Sequence, residues 1–154
     1  MVLALAALLA LWGASARQGV LQAAQARLWM EELEQAVAQA RLRALRQGSS
    51  VSVCAGRQSA GACGAPGQDW AEGYWLRDQI SGAALAEPRT GLPKSFHVQA
   101  NRLVHRRIRI SGDGAARASA GRLTVCRGGE PVVGLVIATS GRTRATTDGE
   151  NLPC

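Results

Sequence analysis

Aromatics, lysine, histidine and closely spaced cysteines are all scarce in this chain of 154 residues. Four Trp, one Tyr and one Phe are its whole aromatic content, so a core must rest mainly on Val, Leu, Ile and Ala. His97 and His105 are the only histidines. Neither has a carboxylate at a spacing that makes a base or a metal site. No two cysteines stand two to four residues apart, which removes the usual zinc-ligand pairs. Ser140 precedes Gly141 without the Gly-x-Ser-x-Gly frame of a nucleophile elbow. Gly128-Gly129 has no helix after it and reads as a hairpin turn, not a phosphate loop. Glu31, Glu32 and Glu34 read as a solvated helix face, not an acid/base pair. These absences predict no enzyme, no cofactor and no metal.

Charge is also missing from Met1 to Ala16, where leucines and Trp12 are set among alanines. From Arg17 the pattern becomes amphipathic without a turn signal. Ala26, Met30, Leu33, Val37, Ala40 and Ala44 recur at alternating steps of four and three, one face of a helix. No proline interrupts before Gln47-Gly48 supplies a stop. The spacing predicts one helix over residues 1–48, about 70 Å long, with 1–16 in membrane or fibre core and 17–48 amphipathic. Ala14-Ser15-Ala16 resembles a signal-peptidase site. The missing basic n-region and the unbroken helical pattern favour an anchor instead.

The net charge is +7, and 17 of the 18 basic residues are arginine. Residues 1–48 carry five basic and three acidic side chains, 49–100 four and four, and 101–154 nine and four. The excess in the last third points to a polyanion, either nucleic acid or lipid head groups. Cys54, Cys63, Cys126 and Cys154 are even in number and widely spaced, which favours two disulfides and an oxidising compartment. Three connectivities are open; Cys54–Cys63 with Cys126–Cys154 is the simplest.

Residues 49–154 read as a β domain. Strands are expected over 49–54, around 74–76, over 96–104 and 106–110, over 123–126 and over 132–139. Residues 79–94 read as irregular and 142–154 as a polar tail. One long helix followed by short antiparallel strands predicts the α+β class.

This order and these residues resemble the minor type IV pilins of the FimT/FimU kind and the related H pseudopilin of type II secretion. The resemblance rests on Val51-Ser-Val-Cys54, Cys63, Trp70-Ala-Glu-Gly-Tyr-Trp-Leu-Arg-Asp78, Ile108-Arg-Ile-Ser-Gly-Asp-Gly114, Leu123-Thr-Val-Cys126, Val136 to Arg144 and the terminal cysteine. It implies a pilin-like fold, one long helix packed on a small antiparallel β-sheet domain. It also implies partnership with other pilins, a methylated N-terminus and a single-pass place in the bacterial inner membrane. The β domain would then lie in the periplasm or outside the cell. The family's basic leader, Gly-Phe-type cleavage site and fifth-position glutamate are not seen before Met1, so the chain is expected to start a few residues into the mature helix.

Gly141-Arg142-Thr143-Arg144 is the candidate site. Arg142 and Arg144 are two apart, so an extended segment projects both to one side, able to engage successive phosphates. Read from the residues alone, these arginines serve equally well to cap a sheet edge or to pair with Asp148 and Glu150. In the DNA-uptake minor pilins that the chain resembles, a Gly-Arg-x-Arg motif at this place binds DNA. The resemblance therefore implies double-stranded DNA as partner, in natural transformation. Arg106, Arg107 and Arg109 form a second cluster that widens the phosphate surface or blunts an edge strand, and Arg102 is a further candidate to help Arg142 and Arg144. The competing reading is a minor pilin or pseudopilin that acts only in fibre assembly.

Overall fold

The computed structural model of the chain describes residues 2–58, 63, 65–147 and 154, with side chains described from residue 19 onward. A single helix, α1, spans Val2–Gln47. At about 1.5 Å per residue it is close to 70 Å long. Arg46 stands in its last turn, where a cation complements the helix dipole. The six residues of the expected apolar face are each 0% exposed. Trp29 and Ala36 broaden that face, and Trp29 meets Tyr74 edge-on with ring centroids 5.8 Å apart.

Eight strands follow: β1 Val51–Ala55, β2 Gly73–Asp78, β3 Arg89–Thr90, β4 Phe96–Ala100, β5 Arg107–Ile110, β6 Gly121–Arg127, β7 Glu130–Ile137 and β8 Thr143–Thr146. They form two antiparallel four-stranded sheets, one in the order β3-β2-β1-β5 and the other in the order β4-β6-β7-β8. Gly128-Gly129 is the turn joining β6 to β7, with Arg127 opposite Glu130. The α+β, pilin-like expectation therefore holds, with the β part divided into two sheets.

The first sheet sorts its side chains by alternation. Val51, Val53, Ala55, Tyr74, Leu76, Ile108 and Ile110 belong to the core shared with α1. Ser52, Cys54, Trp75, Arg77, Arg107 and Arg109 occupy the alternate positions. The register sets Ser52 between Arg77 and Arg109, and Cys54 between Trp75 and Arg107. Ser52 and Cys54 are fully buried even so. The Gln79 amide donates to Ser52 Oγ at 2.8 Å, and Cys54 is disulfide-bonded to Cys63.

The strand expected around 74–76 is present as β2, after a 3-10 turn over residues 70–72. Other expectations need correction. Residues 79–94 are not wholly irregular, because Arg89 and Thr90 pair with Tyr74 and Gly73 as β3. The strand expected over 96–104 stops at Ala100. Val104 lies in a turn, where its carbonyl accepts the Trp70 indole N–H at 2.9 Å. Arg106 precedes β5, although its carbonyl accepts the Ala55 N–H at 2.9 Å. The supposed polar tail begins as a strand, because residues 143–146 complete the hydrogen bonding of β7.

Both disulfides are present in the simplest connectivity, with Cα–Cα distances of 5.2 Å for Cys54–Cys63 and 5.9 Å for Cys126–Cys154. The expected burial of residues 1–16 in membrane or fibre falls on side chains outside the described set. Among the described residues, no helix is long and apolar enough to cross a membrane.

Candidate nucleic-acid interface

The Gly141 motif sits where the chain turns from β7 into β8. The turn closes with Gly141 N–H donating to the Ala138 carbonyl, and Ala138 N–H to the Arg142 carbonyl, both at 2.9 Å. Gly141 is buried and has φ +77°, a left-handed conformation that favours glycine. A Cβ there would also collide with the Gly114 carbonyl oxygen. The turn is thus pressed against the loop that follows β5, and the Ala116 N–H reaches the Thr139 carbonyl at 2.9 Å. Two fixed loops hold the motif in one place before any ligand arrives.

Arg142 and Arg144 are exposed on either side of half-buried Thr143. Thr143 pairs with Ile137 and Arg144 with Val136, so the segment is extended, as expected. Asp148 and Glu150, the alternative ion-pair partners, lie outside the described residues.

The loop after β5 has its own fastening. Asp113 Oδ1 accepts the Ala115 N–H at 3.1 Å, and Asp113 Oδ2 lies 2.6 Å from the Arg117 guanidinium. The backbone hydrogen bond first, and Arg117 second, hold the Asp113 carboxyl below the usual carboxylate range.

The second cluster does not merge with the motif. Arg107 and Arg109 are exposed on β5 and alternate with buried Ile108 and Ile110. With Arg102, His105 and Arg106 they line a concavity of about 470 Å³, closed on one side by Cys63 and on another by Ala118 and Ser119. Arg142 and Arg144 are not among its lining residues. Four arginines and a histidine face this hollow, and no described carboxylate lines it.

The family model of the type II transport protein GspH matches residues 30–141. The chain belongs to the GspH family. That match covers the helix from Met30 onward, both sheets except β8, and the motif as far as Gly141. Two solved structures of the type IV minor pilin FimU of Pseudomonas aeruginosa PAO1 share this fold. One, in space group P21, is 19% identical with a TM-score of 0.59, over 78% of this chain and 87% of that one. The other, in space group P65, is 19% identical with a TM-score of 0.56, over 78% and 91%. No curated protein sequence matches the chain. This GspH-family chain therefore has the fold of a minor pilin and belongs to a family of type II transport proteins.

One residue beside the motif was not visible in the sequence of this GspH-family chain. Arg41 of α1 lays its stem against Gly141 and its Nε near Gly114. That Nε is buried and has no hydrogen-bond partner among the described residues. In sequence Arg41 is one of several arginines on a polar helix face. Only the approach of two loops, 73 and 100 residues downstream, singles it out.

Proposed function

We propose that this minor pilin binds double-stranded DNA through Arg142 and Arg144 and acts in DNA uptake during natural transformation. Arg102, Arg106, Arg107 and Arg109 supply further positive charge. The observation that carries this reading is the pair of exposed arginines on an extended segment, anchored by a glycine that admits no side chain. No aromatic neighbours the motif in sequence to stack bases, so contact runs through the phosphate backbone and is largely independent of sequence. Binding is then weak and steeply salt-dependent.

The test is fluorescence anisotropy of the full chain in nonionic detergent, with duplex DNA over a salt series. Arg142→Gln with Arg144→Gln is expected to lower affinity and to flatten the log–log salt slope by up to about 1.8, at roughly 0.9 per phosphate contact. The melting temperature should stay nearly unchanged, because exposed arginines contribute little to stability. A double variant that binds like wild type at every salt concentration removes the motif from the site.

A second reading, assembly without nucleic acid, is favoured by one observation. Leu21, Leu28 and Leu42 are 54–64% exposed on α1, on the side away from its buried face. Wild-type protein with no DNA affinity even at low salt leaves this reading standing.

A further inference from the structure

The hollow beside β5 is unlike the Gly141 motif in shape, and the difference has chemical content. Its base is the β5 segment, where Arg107 and Arg109 stand two residues apart on the same face. At about 3.4 Å per residue their Cα atoms are roughly 6.8 Å apart. Arg102, His105 and Arg106 come from the turn before β5. Ser119 closes the far side and is only 2% exposed; its Oγ accepts the Arg109 N–H at 2.9 Å. That bond fixes the backbone under Arg109 and ties the 3-10 turn at Arg117–Ser119 to the strand.

The hollow, about 470 Å³ and open to solvent, is in the size range of small-ligand sites. It is too small to admit a double helix. Guanidinium groups recognise phosphate oxygens through paired, charge-assisted hydrogen bonds, and four of them around one hollow carry enough charge and donors for a ligand with more than one phosphate. We propose that this hollow is a binding site for a compact ligand carrying two or more phosphate groups, at residues distinct from the Arg142–Arg144 pair that makes the direct duplex contacts. A linear inorganic oligophosphate and the 5′-phosphorylated end of a nucleic-acid strand share that chemistry. The site stands on its own residues and does not depend on the duplex reading.

The experiment is isothermal titration of the full chain in nonionic detergent with sodium tripolyphosphate at low salt. Saturable binding of one ligand per chain is expected. Arg107→Gln with Arg109→Gln should weaken it at least about tenfold. Arg142→Gln with Arg144→Gln should leave it within about twofold. Ala118→Glu is the second variant. Ala118 is exposed at the rim, so a glutamate there places negative charge over the hollow without touching β5, and binding should fall comparably. Competition by a 5′-phosphorylated tetranucleotide, with none from its unphosphorylated form, identifies a strand end as the source. Displacement by tripolyphosphate alone identifies a free oligophosphate. Absence of saturable binding overturns the proposal, as does equal weakening by the Arg142 and Arg144 pair. Either result leaves the duplex measurement untouched, so the two ideas fail separately.

Discussion

Arg107-Ile108-Arg109 and Arg142-Thr143-Arg144 carry the same Arg-x-Arg pattern, and each lies at the outer strand of a sheet. Their surroundings make them different. Ile108 is fully buried under α1, so β5 is held from below and its two arginines share the opposite face. The far edge of β5 is partly closed as well, because Ser119 takes the Arg109 N–H. The result is a hollow. β8 joins its sheet through β7 and also packs on α1 with Thr146 buried, but its arginines flank the half-buried Thr143 just after the Gly141 turn, with no loop closing over them among the described residues. The result is a ridge. The residue between two arginines, and what covers it, decides whether the pair faces a recess or projects from an edge.

The contrast can be broken most strongly at the middle residues. Ile108→Ala removes a core side chain and is expected to cost about 2–5 kcal/mol in denaturant unfolding. Thr143→Ala should stay within about 0.5 kcal/mol. Similar losses at both would mean that the two strands are held alike. Next in size is Gly141→Ala, which sets a Cβ against the Gly114 carbonyl and strains a left-handed backbone. A loss of about 1–3 kcal/mol is expected, with reduced duplex affinity. An unchanged melting temperature would show that the turn is not pinned by the Gly114 loop. Ser119→Ala should cost about 1 kcal/mol by leaving the Arg109 N–H unpaired. It should weaken tripolyphosphate binding while leaving duplex binding intact, and the reverse pattern would erase the distinction between hollow and ridge.

The smallest effect, absent at neutral pH, concerns the floor beneath β5 and its neighbours. Tyr74, the only tyrosine, is 1% exposed between α1 and the first sheet. Burial first, and the Glu32 carboxylate second, push its phenol up to about 12 from an ordinary 10. The native state keeps its proton where the unfolded chain has lost it. The stabilising contribution is thus complete below pH 10 and is lost as pH rises through 12. Tyrosinate absorbance should appear near 12 and coincide with loosening of this layer. A transition near 10 with the fold intact would mean that the ring is wet.

The helix was the most legible part of the sequence, because a period of 3.6 repeated over six buried residues leaves little choice. Cysteine count and order made the observed pairing the simplest of three. β8 was hidden because Thr-Arg-Ala-Thr has no apolar alternation; its pairing comes from the open edge of β7. The two-residue β3 was too short to leave a pattern. The split into two sheets was equally hidden, since β1 joins β5 across more than fifty residues and nothing local encodes that. The same long-range pairing assembles the hollow, whose walls at Cys63, Arg102 and Ser119 have no common motif. The arginines of both clusters were named from sequence, but their separation into two shapes was not.

Arg127 reaches from the end of β6 to the Gly19 carbonyl of α1 at 3.2 Å. Ala26 begins the buried helix face only two turns further on. The helix from Val2 to Gly19 is about 25 Å long, and among the residues whose side chains are described Gly19 is the first. A pull along that segment would enter the β domain at Arg127, next to Cys126 and its bond to Cys154. Tension on the N-terminus is then shared between the β6–β7 hairpin and the C-terminal end of the chain. Gly19 and Arg127 mark the place where a rod under load becomes part of a folded body.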